Sequence, residues 1–198
     1  MKTGIRKAGL IALATLCITY IHAHADQQPI KPRAQAKVIN DLSLSNNQEE
    51  SDHRFTCGDE GNGTSGYVIV GRKHSGDENG DTNYRCGKVD QFGVLGPLVD
   101  SEQHSNNPED GVYFICPENK MLTGRIHEGD ENDPEHFTCS SLKDSWGNIM
   151  QVVPQPNWSE NFDEDSHDFT CDENTVMIGK YHKGDENGDT SYLCGTLW

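Results

Sequence analysis

Gly71-Arg-Lys-His-Ser-Gly-Asp-Glu-Asn-Gly-Asp-Thr-Asn-Tyr-Arg-Cys86 is the stretch that decides the fold, because it occurs three times. Gly124-Arg-Ile-His-Glu-Gly-Asp-Glu-Asn-Asp-Pro-Glu-His-Phe-Thr-Cys139 and Gly179-Lys-Tyr-His-Lys-Gly-Asp-Glu-Asn-Gly-Asp-Thr-Ser-Tyr-Leu-Cys194 repeat it. The equivalent histidines His74, His127 and His182 stand 53 and 55 positions apart. Upstream of each copy lies a second matching element, Phe55-Thr-Cys57, Phe114-Ile-Cys116 and Phe169-Thr-Cys171. Self-similarity at a period of about 50 residues is the mark of a repeat architecture.

A fainter apolar element completes each copy: Val38-Ile-Asn-Asp-Leu-Ser-Leu44, Val94-Leu-Gly-Pro-Leu-Val99 and Ile149-Met-Gln-Val-Val153. The repeats then span 36–90, 91–146 and 147–198. Val68, Val70, Arg72 and His74 alternate with Ile69, Gly71 and Lys73, a period-two strand pattern. Asn79-Gly80 and Asn187-Gly188 supply the positive φ of a tight hairpin, and no capped 3.6 period appears. The class expected is all-β. A closed pseudo-threefold body, trefoil- or prism-like, removes bare sheet edges; the alternative is a linear array of three β modules.

The first 25 residues read as a signal peptide: basic Lys2, Arg6 and Lys7, an apolar run from Gly9 to Ile21, and Ala23-His24-Ala25. Residues 26–35 look like a flexible leader. The six remaining cysteines pair as Cys57–Cys86, Cys116–Cys139 and Cys171–Cys194 if one geometry is repeated. In the chain-entropy model each such loop gains about 3 kcal/mol, which units of this size need. The expected location is secreted or periplasmic.

Without the three leader cations, 13 Lys and Arg stand against 32 Asp and Glu, a net charge of about −19. So acidic a surface excludes nucleic acid, and no later segment inserts in a membrane. Partners expected are a glycan or an extracellular protein.

Each copy carries one cluster: His74, Asp77, Glu78 and Asn79; His127, Asp130, Glu131 and Asn132; His182, Asp185, Glu186 and Asn187. One reading is structural. Gly-Asp-Glu-Asn-Gly is ordinary turn chemistry, with Arg72 pairing Asp77 or Glu78 and the histidine closing a corner. The second copy has drifted, since Asp133-Pro134-Glu135 replaces Gly-Asp-Thr while His127, Gly129, Asp130, Glu131 and Asn132 persist. That retention favours side chains with a task.

Three chemistries compete for that task. Calcium suits Asp77-x-Asn79-x-Asp81, but Thr82 and Lys88 replace the glycine and glutamate of an EF-hand, so only another calcium geometry remains. Zinc requires the three histidines to converge on one axis. Glycan binding is favoured, because each loop offers carboxylate, amide and imidazole near Tyr84, Phe137 or Tyr192, and three copies confer avidity.

Enzyme activity is not expected, since a catalytic site gathers different residues in one place and no G-x-S-x-G or H-E-x-x-H occurs. The function expected is therefore a non-enzymatic, multivalent, lectin-like binder. The alternative is a metal-stabilised structural or protein-binding chain, such as an inhibitor or toxin accessory.

His53 and His167 align before Phe-x-Cys, where the second copy has Val112. Trp146, Trp158 and Trp198 do not align and are expected in the core or at the closure. Asn62-Gly-Thr64 and Asn157-Trp-Ser159 are glycosylation sequons. The format Cys…Gly-x-x-His…aromatic-x-Cys resembles dermatopontin-like modules, but it lacks that family's Asp-Arg-x-Trp core, and no function is carried over.

Overall fold

Period-two patterning and glycine-bearing turns produce strands throughout, with no helix among the described residues. The computed structural model describes residues 35–58, 66–77, 79–91, 94–106, 111–129, 133–184 and 188–198. The signal-peptide expectation, nearly all of the leader and the Asn62 sequon lie outside them. All described residues belong to one unit, Arg33–Trp198.

Each aligned segment contributes five strands. The first holds β1 (Lys37–Leu44), β2 (Gln48–Glu49), β3 (Asp52–Thr56), β4 (Tyr67–Ser75) and β5 (Asp81–Gln91). The second holds β6 (Val94–Leu95), β7 (Leu98–Asn106), β8 (Val112–Ile115), β9 (Met121–Glu128) and β10 (Glu135–Leu142). The third holds β11 (Val152–Pro154), β12 (Phe162–Asp163), β13 (Ser166–Thr170), β14 (Thr175–Lys183) and β15 (Asp189–Leu197).

Within each segment the Gly-x-x-His strand pairs antiparallel with the aromatic-x-Cys strand: β4 with β5, β9 with β10, β14 with β15. Between segments, the Phe-x-Cys strand crosses over: β3 pairs β9, β8 pairs β14 and β13 pairs β4. The strands form a ten-stranded and a five-stranded curled sheet.

The simple alternation expected for β4 is broken by a bulge. Ile69 faces Cys86 and Gly71 faces Arg85, so Val70 is the extra residue. The same shift isolates Thr123 in β9 and Ile178 in β14. A bulge flips the parity of the residues beyond it. Val68 and Val70 therefore enter one aliphatic core, while Ile69 lies on the side of Arg72 in a second core. The carbonyl of each bulged residue accepts an amide from a neighbouring segment: Cys171 N to Val70 O, Cys57 N to Thr123 O and Cys116 N to Ile178 O.

The second core is built on the cysteines. The disulfides Cys57–Cys86, Cys116–Cys139 and Cys171–Cys194 are present, with Cα–Cα separations of 5.7, 5.8 and 5.9 Å. Beside each, the two aromatic residues of the segment stack: Phe55 on Tyr84, Phe114 on Phe137 and Phe169 on Tyr192. Three disulfides fit an oxidising environment. No helix among the described residues is long and apolar enough to cross a membrane.

Trp146, expected in the core or at the closure, is 69% exposed, and Asp144 Oδ1 accepts the amides of Trp146 and Asn148 at this corner.

Candidate functional site

The residue two before each motif histidine is a cation, and all three cations are buried: Arg72, Arg125 and Lys180 are 1–3% exposed. Burying an unpaired charge is prohibitive, so partners must come with them. Glu50 lies 2.9 Å from Arg72 Nη2 and 2.6 Å from Arg125 Nη2. Glu135 lies 2.8 Å from Arg125 Nε and 2.8 Å from Lys180 Nζ. Glu164 lies 3.6 Å from Lys180 Nζ and 3.0 Å from Arg72 Nη1. These contacts close a ring of six alternating charges.

The ring holds its acids ionised. Burial pushes the Glu50 carboxyl up, but Arg125 and Arg72 outweigh it and hold it well below the usual carboxylate range. Glu135, also raised by burial, is drawn down by Arg125 and Lys180.

Each arginine reaches into the preceding segment in the cycle of strand pairs. Arg125 Nη1 donates to Tyr84 OH (3.1 Å) and lies 3.0 Å from His53 Nε2. Arg72 Nη1 donates to Tyr192 OH (3.0 Å) and lies 3.2 Å from His167 Nε2. His53 Nδ1 donates to Glu50 O and His167 Nδ1 to Asp163 O, which leaves Nε2 as the acceptor and the ring neutral. Burial and the adjacent arginine lower both histidines to about 3.

Lys180 has fewer donors, and its surroundings match. In the register position of His53 and His167, opposite His182, stands Val112, and Phe137 lines the small cavity beside Lys180 where the other copies have tyrosine. That cavity, about 10 Å³, is walled by three aligned triads: Ile69, Leu122, Met177; Arg72, Arg125, Lys180; Tyr84, Phe137, Tyr192.

The drifted second copy also finds its reason here. Glu135 aligns with Thr82, which accepts from Arg72 Nε at 3.1 Å. Replacing that threonine with glutamate brings the third carboxylate to the ring. Glu109, the sequence counterpart of Glu50 and Glu164, lies outside the described residues.

The structure places His74, His127 and His182 beneath the turns at 3%, 3% and 5% exposure. His127 Nδ1 donates to Glu50 O at 2.9 Å, and His182 Nε2 donates to Gly184 O at 3.1 Å. Burial and Arg72 lower His74 to about 4. Arg72 pairs with Glu50 and Glu164, and not with Asp77 as turn chemistry alone suggests. Asp77 and Asn79 are exposed at the hairpin tip, where Asp77 Oδ1 accepts the Asn79 amide (3.1 Å). Glu78, Asp130, Glu131, Asn132, Asp185, Glu186 and Asn187 lie outside the described residues.

Among the described residues no group of three His, Cys, Asp or Glu side chains is placed to hold a metal ion. The zinc reading required His74, His127 and His182 to meet in such a group.

The ring's acids were missed by sequence reasoning. For Glu50 and Glu164 the signal was a glutamate three positions before His53 and His167.

Compared with protein-family models, curated proteins and solved structures, the chain matches none.

Proposed function

We propose that this chain is a non-enzymatic extracellular binding protein for carbohydrate. It is built as a closed pseudo-threefold body that presents three equivalent acidic turns. The observation that carries this reading is the shared mount of the turns. Gly76, Gly129 and Gly184 follow their strands at φ 109°, 116° and 114°, each two residues after a buried histidine. Three turns that leave their strands through the same glycine geometry are mounted alike for repeated weak contacts, where avidity supplies the affinity.

Two further observations support it. The strand exchange β3–β9, β8–β14 and β13–β4 passes from each segment to the next and back to the first, which favours closure over a linear array. The titratable groups of the core are consumed in mutual ion pairs, which favours a structural use over acid–base catalysis.

The test is binding of the exported chain to immobilised polysaccharides and a glycan array. Joint replacement of Asp77, Asp130 and Asp185 by Ala sharply lowers binding to dense arrays while the thermal midpoint holds. An unaltered array signal with the fold intact overturns the assignment to the turns.

A further inference from the structure

A cleft of about 540 Å³ opens in the third segment, between the stretch 155–162 and the end of β13. Its lining combines aromatic rings, Trp158, Phe162 and Phe169, with the polar side chains of Asn157, Glu160 and Asp172. Its size falls within the range of small-molecule sites, about 300–1,000 Å³. We propose that this cleft is a saccharide subsite, separate from the three turns, that stacks a neutral pyranose ring on Trp158 and meets its hydroxyls with Asn157, Glu160 and Asp172. The inference rests on the carbohydrate reading above and deepens it.

The chemistry of the lining suits a sugar. A pyranose has an apolar C–H face and a rim of hydroxyls that donate and accept. Glu160 and Asp172 are exposed, and neither has a side-chain hydrogen bond or ion pair among the described residues, so their oxygens are free to accept. Asn157 and Thr170 add donors, which an organic cation has no use for and a sugar does.

The aromatic platform is rigid. A Cβ on Gly179 would stand 3.2 Å from Trp158 Cη2, so the missing side chain leaves the room that the indole edge occupies against the strand. Tyr113 and Tyr181 flank it, with ring centroids 5.6 and 6.3 Å away, and Tyr113 is 62% exposed. The backbone carrying Trp158 is clamped: Ser159 N donates to Tyr192 O (2.8 Å) and Ser159 Oγ accepts from Tyr192 N (3.0 Å). Ser45 clamps Tyr84 in the same way in the first segment, where the residue before the serine is Leu44. The frame is thus repeated, and the tryptophan belongs to the third segment alone.

The experiment is calorimetric titration of the full exported chain, produced in a bacterial periplasm so that Asn157 carries no glycan. The probes are short neutral gluco-, manno-, galacto- and N-acetylglucosamine oligosaccharides, with tetramethylammonium as the cation control. Expected is one saccharide site per chain that Trp158→Ala weakens about tenfold or more. Because Trp158 also packs against the aliphatic core, exposed Asn157→Ala and the pair Glu160→Gln with Asp172→Asn carry the test if that variant unfolds. Saccharide binding that survives the Asn157, Glu160 and Asp172 changes overturns the cleft while leaving the broader reading intact. Absence of titration by every saccharide overturns the cleft, and absence of array binding by the unaltered chain as well overturns both; titration by tetramethylammonium in place of saccharide overturns the ligand class.

Discussion

Lys180 Nζ sits 2.8 Å from Glu135 Oε1, a contact between the third and second aligned segments made where both side chains are almost fully buried. Glu135 also binds Arg125, so it joins two of the three buried cations. Removing one partner of a buried pair strands the other, at about 3–5 kcal/mol. Glu135→Gln keeps the shape and is expected to cost that much in denaturant unfolding. Arg54→Ala removes the Arg54–Glu128 pair, whose side chains are 70% and 67% exposed, and should cost about 1 kcal/mol or less. Equal losses for the two variants overturn the ranking.

The match between each cation and its neighbours is testable by exchange. Arg125 uses Tyr84 and His53, whereas Lys180 stands with Phe137 and Val112 in the corresponding places. Lys180→Arg alone introduces buried donors without acceptors and is expected to destabilise by about 1–3 kcal/mol. Adding Phe137→Tyr and Val112→His supplies the acceptors, so the triple variant recovers at least about 1 kcal/mol. Additive effects in a double-mutant cycle contradict this coupling.

Much of this frame was legible in the sequence. The three-copy alignment led to the disulfide pairing and the all-β class, because cysteine spacing and period-two patterning are local signals. The bulges at Val70, Thr123 and Ile178 were not legible, since the pattern around Val68 and Val70 reads as clean alternation. The acids of the ring were obscured differently. Glu50 and Glu164 align in the turns before β3 and β13, but Glu135 opens strand β10, and no alignment column holds all three. One missed signal was local: Asn119 and Asn174 stand three residues after Cys116 and Cys171 at φ 59° and 62°. Their side chains accept the Val152 and Val38 amides, joining the Asn119 and Asn174 corners to the third and first segments.

The motif glycine is a contact residue. A Cβ on Gly71, Gly124 or Gly179 would stand 2.6, 2.8 or 2.7 Å from the carbonyl oxygen of Phe169, Phe55 or Phe114. Each glycine therefore lets a Phe-x-Cys strand lie close against its neighbour. Gly124→Ala forces that strand away and is expected to cost about 1–3 kcal/mol, as overpacking does. Gly147→Ala is the contrast, because open space surrounds its missing side chain, although its φ of 85° adds strain. Hydrogen exchange of the Cys57 amide, bound to Thr123 O in the neighbouring strand, reads the difference directly. Faster exchange at Cys57 in Gly124→Ala but not in Gly147→Ala is the expected result; identical protection in the two contradicts it.

Acid weakens the frame, and the histidines set where that begins. Burial and the adjacent arginine hold His53 and His167 down to about 3, and burial and Arg72 hold His74 to about 4. In an unfolded chain the same rings take up a proton near pH ~6.5. Below that pH the unfolded state binds more protons than the folded one, so stability falls as pH drops. The contribution of each ring is complete above pH ~6.5 and is lost progressively toward its folded value. In that window each ring adds up to about 1.4 kcal/mol per pH unit. Below the ordinary carboxylate range Glu50 and Glu135 act with the same sign. Denaturant unfolding is therefore expected to show stability declining from neutral pH toward pH ~5, before the carboxylates titrate. Arg125→Lys with His53→Val and Tyr84→Phe, which installs the arrangement around Lys180, should flatten that slope by about one proton. A flat profile in the unaltered chain, or an unchanged slope in the triple variant, overturns the assignment of the acid response to these histidines.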